Sequence, residues 1–188
     1  MGLGNPGPQY ERTRHNIGEL AIVACASSAG VNFTKFKSYG VTALVNHPSG
    51  SSFRLAATTS FMNLSGTSVQ AMLAFHKIPP SQLIVVHDEL DLAPGVIRLK
   101  HGGGHAGHNG LRDIQRALGT TDFFRIRMGI GRPEGRMPPA DYVLGTFQPV
   151  EEEALPAMFA TVCSAIEILA TEGLLVAQGR IHSPSSST

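Results

Sequence analysis

Charge is scarce in this chain. Asp, Glu, Lys and Arg make up 15% of its 188 residues, against roughly 25% in average usage. Tryptophan is absent and cysteine occurs twice. No apolar run approaches the ~18 residues of a membrane-spanning helix, so no membrane segment is expected. The start of the chain carries Gly, Pro, Arg and His where a secretory signal would need an apolar block. The reading is a soluble, cytoplasmic protein, or a mitochondrial or plastid one if a presequence has been removed. Cys25 and Cys163 lie far apart, each in an apolar stretch, and are expected to be buried reduced thiols. Neither H-E-x-x-H nor a paired C-x-x-C occurs, which argues against a zinc frame. Neither G-x-S-x-G nor a cysteine in a polar setting occurs, which argues against a covalent nucleophile. A hydrolase built on this chain would activate water.

Glycine, proline and histidine are abundant instead, at 21, 12 and 8 residues. At about 100 to 200 residues per domain, the length fits one domain with a substantial core. The net charge of +1 conceals an uneven distribution. Residues 98 to 136 hold eight basic and three acidic side chains, whereas residues 137 to 188 hold one and six. A local basic excess is the footprint that a phosphate-bearing partner needs.

Hydrophobic periodicity predicts a helix over residues 16 to 29, a hairpin from residues 41 to 45 and 53 to 58, and a helix capped by Asn63 or Ser65 running to about His76. Residues 83 to 86 form a short apolar run that reads as a strand buried on both faces, with His87-Asp-Glu directly after it. Another strand is expected near residues 96 to 99. Asn109 is placed to cap a helix that Gly119 stops, and residues 124 to 130 alternate as a strand. A long helix follows from about Val150 to Thr171, its Glu151-Glu-Glu153 start reading as a solvated, dipole-favoured first turn. Residues 183 to 188 read as a disordered tail. Alternating strands and helices give an α/β domain: a twisted, mixed, mostly parallel sheet with helices on both faces. Ligands of such sheets gather beyond the carboxyl ends of strands, which singles out Asp88.

Gly2-Leu-Gly-Asn-Pro-Gly7 spells G-x-G-x-x-G, but no strand precedes it and no acid answers it, so a tight turn presenting Asn5 is the stronger reading. His101, His105 and His108 invite a metal reading, whereas the intervening glycines favour a backbone approached closely by a ligand. His15, if Asp88 oriented it, could be a base for water; spacing alone cannot bring residues 15 and 88 together.

The joint pattern goes further. Gly2-Leu-Gly-Asn-Pro-Gly-Pro-Gln-Tyr10, Thr13-Arg-His-Asn16, Phe61-Met-Asn-Leu-Ser-Gly66, His87-Asp-Glu-Leu-Asp91, Gly102 to Gly110 and Arg125-Ile-Arg-Met-Gly-Ile-Gly-Arg132 together resemble the bacterial-type peptidyl-tRNA hydrolase family, in family order, from residue 2 to about 182. The resemblance implies a single domain over residues 1 to 182 that works as a monomer without cofactor or metal. It would cleave the ester joining a peptide to the terminal ribose of tRNA, recycling tRNA released prematurely from ribosomes. On this resemblance His15 is the general base and Asp88 orients it. Asn5, Asn63 and Asn109 are active-site amides, and Tyr10, Met62 and His108 line the same cleft. Lys100 and Arg127 clamp the 5′ phosphate beside the acceptor end.

Three positions depart from the family pattern: Glu19, where an apolar or aromatic residue is common, His101, where an uncharged one is frequent, and Ala106, where glycine is frequent. Members also usually carry four or five apolar residues before the first glycine, where this sequence has Met1. Two other functions fit the same motifs. One is an RNA-binding adaptor acting through an apolar surface; the other is a small-ester hydrolase, which the basic segment disfavours.

Overall fold

The computed structural model describes residues 1–182; the tail expected at 183 to 188 lies outside them. The elements are α1 (Ile17–Ser28), β1 (Thr34–Phe36), β2 (Gly40–Asn46), β3 (Ser52–Thr58), α2 (Ser65–His76), β4 (Ile84–Glu89), β5 (Ile97–His101), α3 (Asn109–Leu118), β6 (Phe124–Gly129), α4 (Pro139–Val143), α5 (Pro149–Thr171) and α6 (Leu174–Ile181). The strands fall in the orders β1-β2-β3 and β4-β6-β5. Gly2 joins the two halves, bridging in parallel to Ala57 and to Val86. Parallel pairing is thus central, with β4 beside β6, while β1–β2, β2–β3 and β5–β6 are antiparallel. The mixed sheet is the one expected, although among the named strands antiparallel pairs outnumber the parallel one. The β2–β3 hairpin requires antiparallel pairing.

Both faces are covered. Val86, Ile126, Met128, Ile97 and Leu99 pack into one core with α1, α5 and α6, whereas Val85, Leu3 and Phe123 join α2 and α3 in the other. Neighbours Val85 and Val86 thus go to opposite cores, which is why β4 reads as a continuous apolar run. α1 lies almost on the backbone of the sheet. A Cβ on Gly18 would come 2.2 Å from the Val86 carbonyl oxygen, and one on Gly2 would come 2.4 Å from the Gly18 carbonyl oxygen. The glycine motif at the start of the chain therefore serves close helix-to-sheet approach.

Two long-range pairings contradict the sequence reading. Cys25 on α1 and Cys163 on α5 form a disulfide across 138 residues. The two apolar stretches that suggested separate buried thiols pack against one another. The acidic start of α5 is also more than a solvated turn. Glu151 receives both Nε (3.0 Å) and a terminal nitrogen (2.6 Å) of Arg14, whose guanidinium lies 4.3 Å from the Tyr142 ring centre. Glu152 pairs with Arg12 on the exposed side. The first-turn acids thus hold down the loop that carries His15.

α5 is long and apolar enough on average to cross a membrane, although no unbroken apolar run marks it. In the fold Met158, Val162, Ala165, Ile166 and Leu169 form its buried stripe. β1, α4 and α6 were not expected. α6 covers the open edge of β5: Gln178 donates to the Leu99 carbonyl at 3.0 Å, and the Leu99 amide donates to His182 Nε2 at 2.8 Å. Where the first residues join the two halves of the sheet, the Met1 amino group donates to the Ile84 carbonyl at 2.9 Å, and burial pushes its pKa down to about 5. It borders a cavity of about 430 Å³ lined by Leu55, Met72, His76 and Ile166 among others.

Candidate active site

The carboxyl end of β4 delivers Asp88 to the top of the sheet, where two histidines from distant segments meet it. His15, from the 3-10 turn before α1, places Nδ1 2.8 Å from Asp88 Oδ1. His108 places Nε2 3.0 Å from the same oxygen. The two imidazole centres are 4.9 Å apart. All three side chains are largely withdrawn from water. Burial alone would raise the Asp88 carboxyl, but His108 and His15, by charge and by hydrogen bond, hold it well below the usual carboxylate range.

The hydrogen bonds decide where the ring protons sit. His108, not Asn109, is the N-cap of α3: its Nδ1 accepts from the amides of Gly110 at 3.1 Å and Leu111 at 3.3 Å. A nitrogen accepting two N–H groups carries no proton, so Nε2 carries it and donates to Asp88. An ionised Asp88 only accepts, so His15 Nδ1 also donates. In the neutral ring His15 Nε2 is then left with a free lone pair, the state a general base requires.

The two histidines and the carboxylate also have the composition of a metal site, their ligand atoms lying within 4.8 Å of one another. The cap argues against that use. For Nε2 of His108 to ligate, the proton would have to move to Nδ1 and face two backbone donors. The glycine-loop histidines do not converge either: His101 pairs with Asp122 at 2.9 Å, and His105 Nδ1 accepts from Gly107 at 3.1 Å.

Asn5 is buried rather than presented on a turn. Its backbone is gripped by Asn16, whose Oδ1 accepts from the Asn5 amide at 2.9 Å and whose Nδ2 donates to the Asn5 carbonyl at 2.9 Å. Asn5 Oδ1 accepts from the Met62 amide at 2.8 Å, so the orientation of its side-chain amide is fixed, with the NH2 end left for a ligand. Met62 itself is buried; its sulfur presses on α3 where a Cβ on Gly110 would come within 2.5 Å. Asn63 stands exposed in the 3-10 turn that follows, and Asn109 stands exposed on the first turn of α3 with Oδ1 held by Arg112 at 2.8 Å. Neither Asn63 nor Ser65 caps α2 by its side chain. Asp113 of α3 does so from outside, accepting from the Gly66 amide at 2.8 Å. Tyr10 meets the half-exposed Phe61 edge to face at 6.3 Å.

Lys100 and Arg127 share one sheet face but are not direct partners. In the β5–β6 register Lys100 faces Arg125, and Arg98 faces Arg127, so four cations line that face. Arg127 Nε donates to Glu89 at 2.9 Å. Its parallel neighbour on β4 is His87, the residue before Asp88, so the cationic face adjoins the imidazole cluster. His87 is buried. Its Nδ1 donates to the Asp88 carbonyl at 2.7 Å and its Nε2 has no partner among the described residues. Burial, with the charge of His108, pushes its pKa down to about 3.

The residues that sequence reasoning left out of the site are mostly supports: Asn16, Arg14 with Glu151, Asp113, Glu89 and Arg125. Asn16 was within reach, since it lies in Thr13-Arg-His-Asn16 beside the proposed base. The others act across 21 to 137 residues, and nothing local signals such pairings.

Comparison with known proteins identifies the family. The family model described as "Peptidyl-tRNA hydrolase" matches residues 1–188. The chain is 47% identical to a peptidyl-tRNA hydrolase of Rhodococcus jostii, over 97% of this chain and 96% of that protein. It is 49% identical to one of Frankia alni, over 97% and 92%. A crystal structure of peptidyl-tRNA hydrolase from Acinetobacter baumannii superposes with a TM-score of 0.89 at 38% identity, covering 97% of this chain and 92% of that one. With sequence, fold and family model in agreement, the chain belongs to the peptidyl-tRNA hydrolase family.

Proposed function

We propose that this chain hydrolyses the ester between a peptide and the terminal ribose of tRNA, with water activated by His15. The observation that carries the reading is the shared Asp88 oxygen, which takes a proton-bearing nitrogen from both His15 and His108. His15 Nε2 removes a proton from water as the water oxygen bonds to the ester carbon. The resulting imidazolium is stabilised by Asp88. Collapse of the tetrahedral intermediate breaks the bond to the ribose oxygen, which takes the proton back from His15. The products are the free peptide acid and tRNA. No covalent enzyme intermediate is required, because an ester needs only an oriented base and donors for its developing oxyanion. Asn5, with its NH2 end free, is suited to donate, as are the exposed amides of Asn63 and Asn109. Amide side chains can hold a peptide backbone without reading its side chains. Lys100 and Arg127 would take the 5′ phosphate, next to the acceptor end in the cleft.

The test is single-turnover release of peptide from peptidyl-tRNA. His15→Ala is expected to abolish release while leaving tRNA binding and thermal stability near those of the parent. Near-normal turnover by that variant would remove the assignment. An adaptor that only binds RNA would show no turnover in the parent protein either.

A further inference from the structure

Arg125 lies between the two proposed phosphate ligands, opposite Lys100 in the β5–β6 register and two residues from Arg127, yet it is spent on something else. It is only 3% exposed. One terminal nitrogen donates to the Gly104 carbonyl at 2.6 Å and the other to the Gly103 carbonyl. Its guanidinium carbon sits 5.0 Å from the Phe123 ring centre, and its Nε has no partner among the described residues. No carboxylate among the described residues forms an ion pair with it; Glu89, which acts on its charge from further off, is bonded to Arg127. Burying a guanidinium on carbonyls alone is costly. The return is a rigid fork of charge-assisted bonds to two successive peptide groups.

Those peptide groups need external support. The loop from 102 to 108 takes left-handed backbone at Gly102, Gly103, Ala106 and Gly107, conformations that cannot build a regular ladder of their own. At its near end Lys100 lies across the loop, its Nζ 2.6 Å from where a Cβ on Gly103 would stand. At its far end the loop becomes the His108 cap, which reaches Asp88. A second grip comes from α3, where Gln115 Nε2 donates to the same Gly103 carbonyl at 3.0 Å.

We propose that Arg125 is a positioning residue joining the phosphate clamp to the imidazole cluster: it fixes the loop that seats Lys100 at one end and hangs His108 at the other, and it touches no phosphate itself. The proposal rests on the peptidyl-tRNA reading above. Arg125→Met keeps the bulk and removes the fork. It is expected to lower kcat by about ten- to a hundredfold, as a misplaced catalytic geometry does, and to speed amide exchange over Gly103–His108. Lys100→Ala should lower the slope of log affinity for tRNA against log salt by ~1, and adding Arg125→Met to it should lower the slope no further, because Arg125 acts on phosphate only through the seat of Lys100. Gln115→Ala removes the second grip from a less buried position and should shift kcat and exchange the same way by a smaller factor. It carries the test if the methionine variant does not fold. A further fall of ~1 in the slope of the double variant would make Arg125 a phosphate ligand in its own right and overturn the proposal. Normal kcat with a lowered melting temperature would reduce it to packing and overturn it equally. If the parent protein released no peptide, the functional reading would fail. The grip would still be decided, because amide exchange is measured without substrate.

Discussion

The imidazole cluster and the cationic face lie on adjacent strands and differ in almost every physical respect. The first is buried, holds one carboxylate between two imidazole rings, and has its ring protons placed by hydrogen bonds. The second is partly exposed, carries Arg98, Lys100 and Arg127 along one face, and offsets one of them with Glu89. One region depends on where single protons reside; the other depends on summed charge that salt can screen. The cluster should therefore fail on substitutions that change no shape, while the cationic face should weaken by steps.

The sharpest way to break this comparison is Asp88→Asn. The side chain keeps its outline and its amide oxygen can still accept from both rings, but it carries no charge to hold the ring protons toward it or to stabilise the His15 imidazolium. Turnover is expected to fall about 10³- to 10⁴-fold, as when the orienting carboxylate of a triad is neutralised, with tRNA affinity unchanged. Loss of less than tenfold in a single-turnover assay would show that the proton arrangement is not what drives the site.

His108 has two duties that substitution can separate. His108→Ala removes both the α3 cap, worth about 1 kcal/mol of stability, and the bond to Asp88. His108→Asn supplies a good cap of its own but is too short to reach Asp88 as the ring does. The expectation is a melting temperature near the parent's for the asparagine variant, with turnover down about tenfold in both. Recovery of activity together with stability would assign His108 to the helix alone.

How far the sequence alone could carry this site follows from the range over which its forces act. Asp88 was legible because an apolar run ending in His87-Asp-Glu marks a strand end, and strand ends in α/β sheets collect ligands. Gly119 as a helix stop was legible because it adopts the left-handed backbone expected of it, with φ of 68°. The cap of α3 was misassigned by one residue, since a histidine whose ring nitrogen accepts two amides looks like any loop histidine until Asp88 is seen to fix its tautomer. The Cys25–Cys163 bond and the Arg14–Glu151 pair were illegible, because each depends on α5 packing back against the start of the chain. Ala106 illustrates a middle case. The family resemblance marked it as replacing a frequent glycine, and its φ of 47° shows why glycine suits that place.

On the cationic face the expected effects are smaller and graded. Lys100→Ala and Arg127→Ala should each raise KM about tenfold at moderate salt and lower the salt slope by ~1. Affinity that is independent of salt would break the contrast with the cluster.

His87 stands at the join of the two regions, next in the chain to Asp88 and beside Arg127 in the sheet, and its effect should be the smallest, visible in stability alone. Its folded pKa of about 3 lies below the ordinary histidine value of about 6.5. Between those values the unfolded chain binds more protons than the folded one, so stability rises with pH through that window and is lost as pH falls from about 6.5. Asp88 has the same sign of dependence in a lower window, its folded value also lying below that of the unfolded chain. Its contribution is intact down to about pH 4 and fades only below that. Acid loss of stability above pH 4 therefore belongs to the groups whose pKa burial lowers, His87, His76, His182 and the Met1 amino group, rather than to Asp88. His87→Asn places an amide N–H where Nδ1 donates and removes the titration while keeping Met1 as common background. Its melting temperature should fall less than the parent's between pH 6.5 and pH 5, by an amount equivalent to about 1 to 2 kcal/mol. Parallel curves would mean that the buried ring meets its proton at no cost, and that the unpartnered Nε2 is not the acid-sensitive point between the two regions.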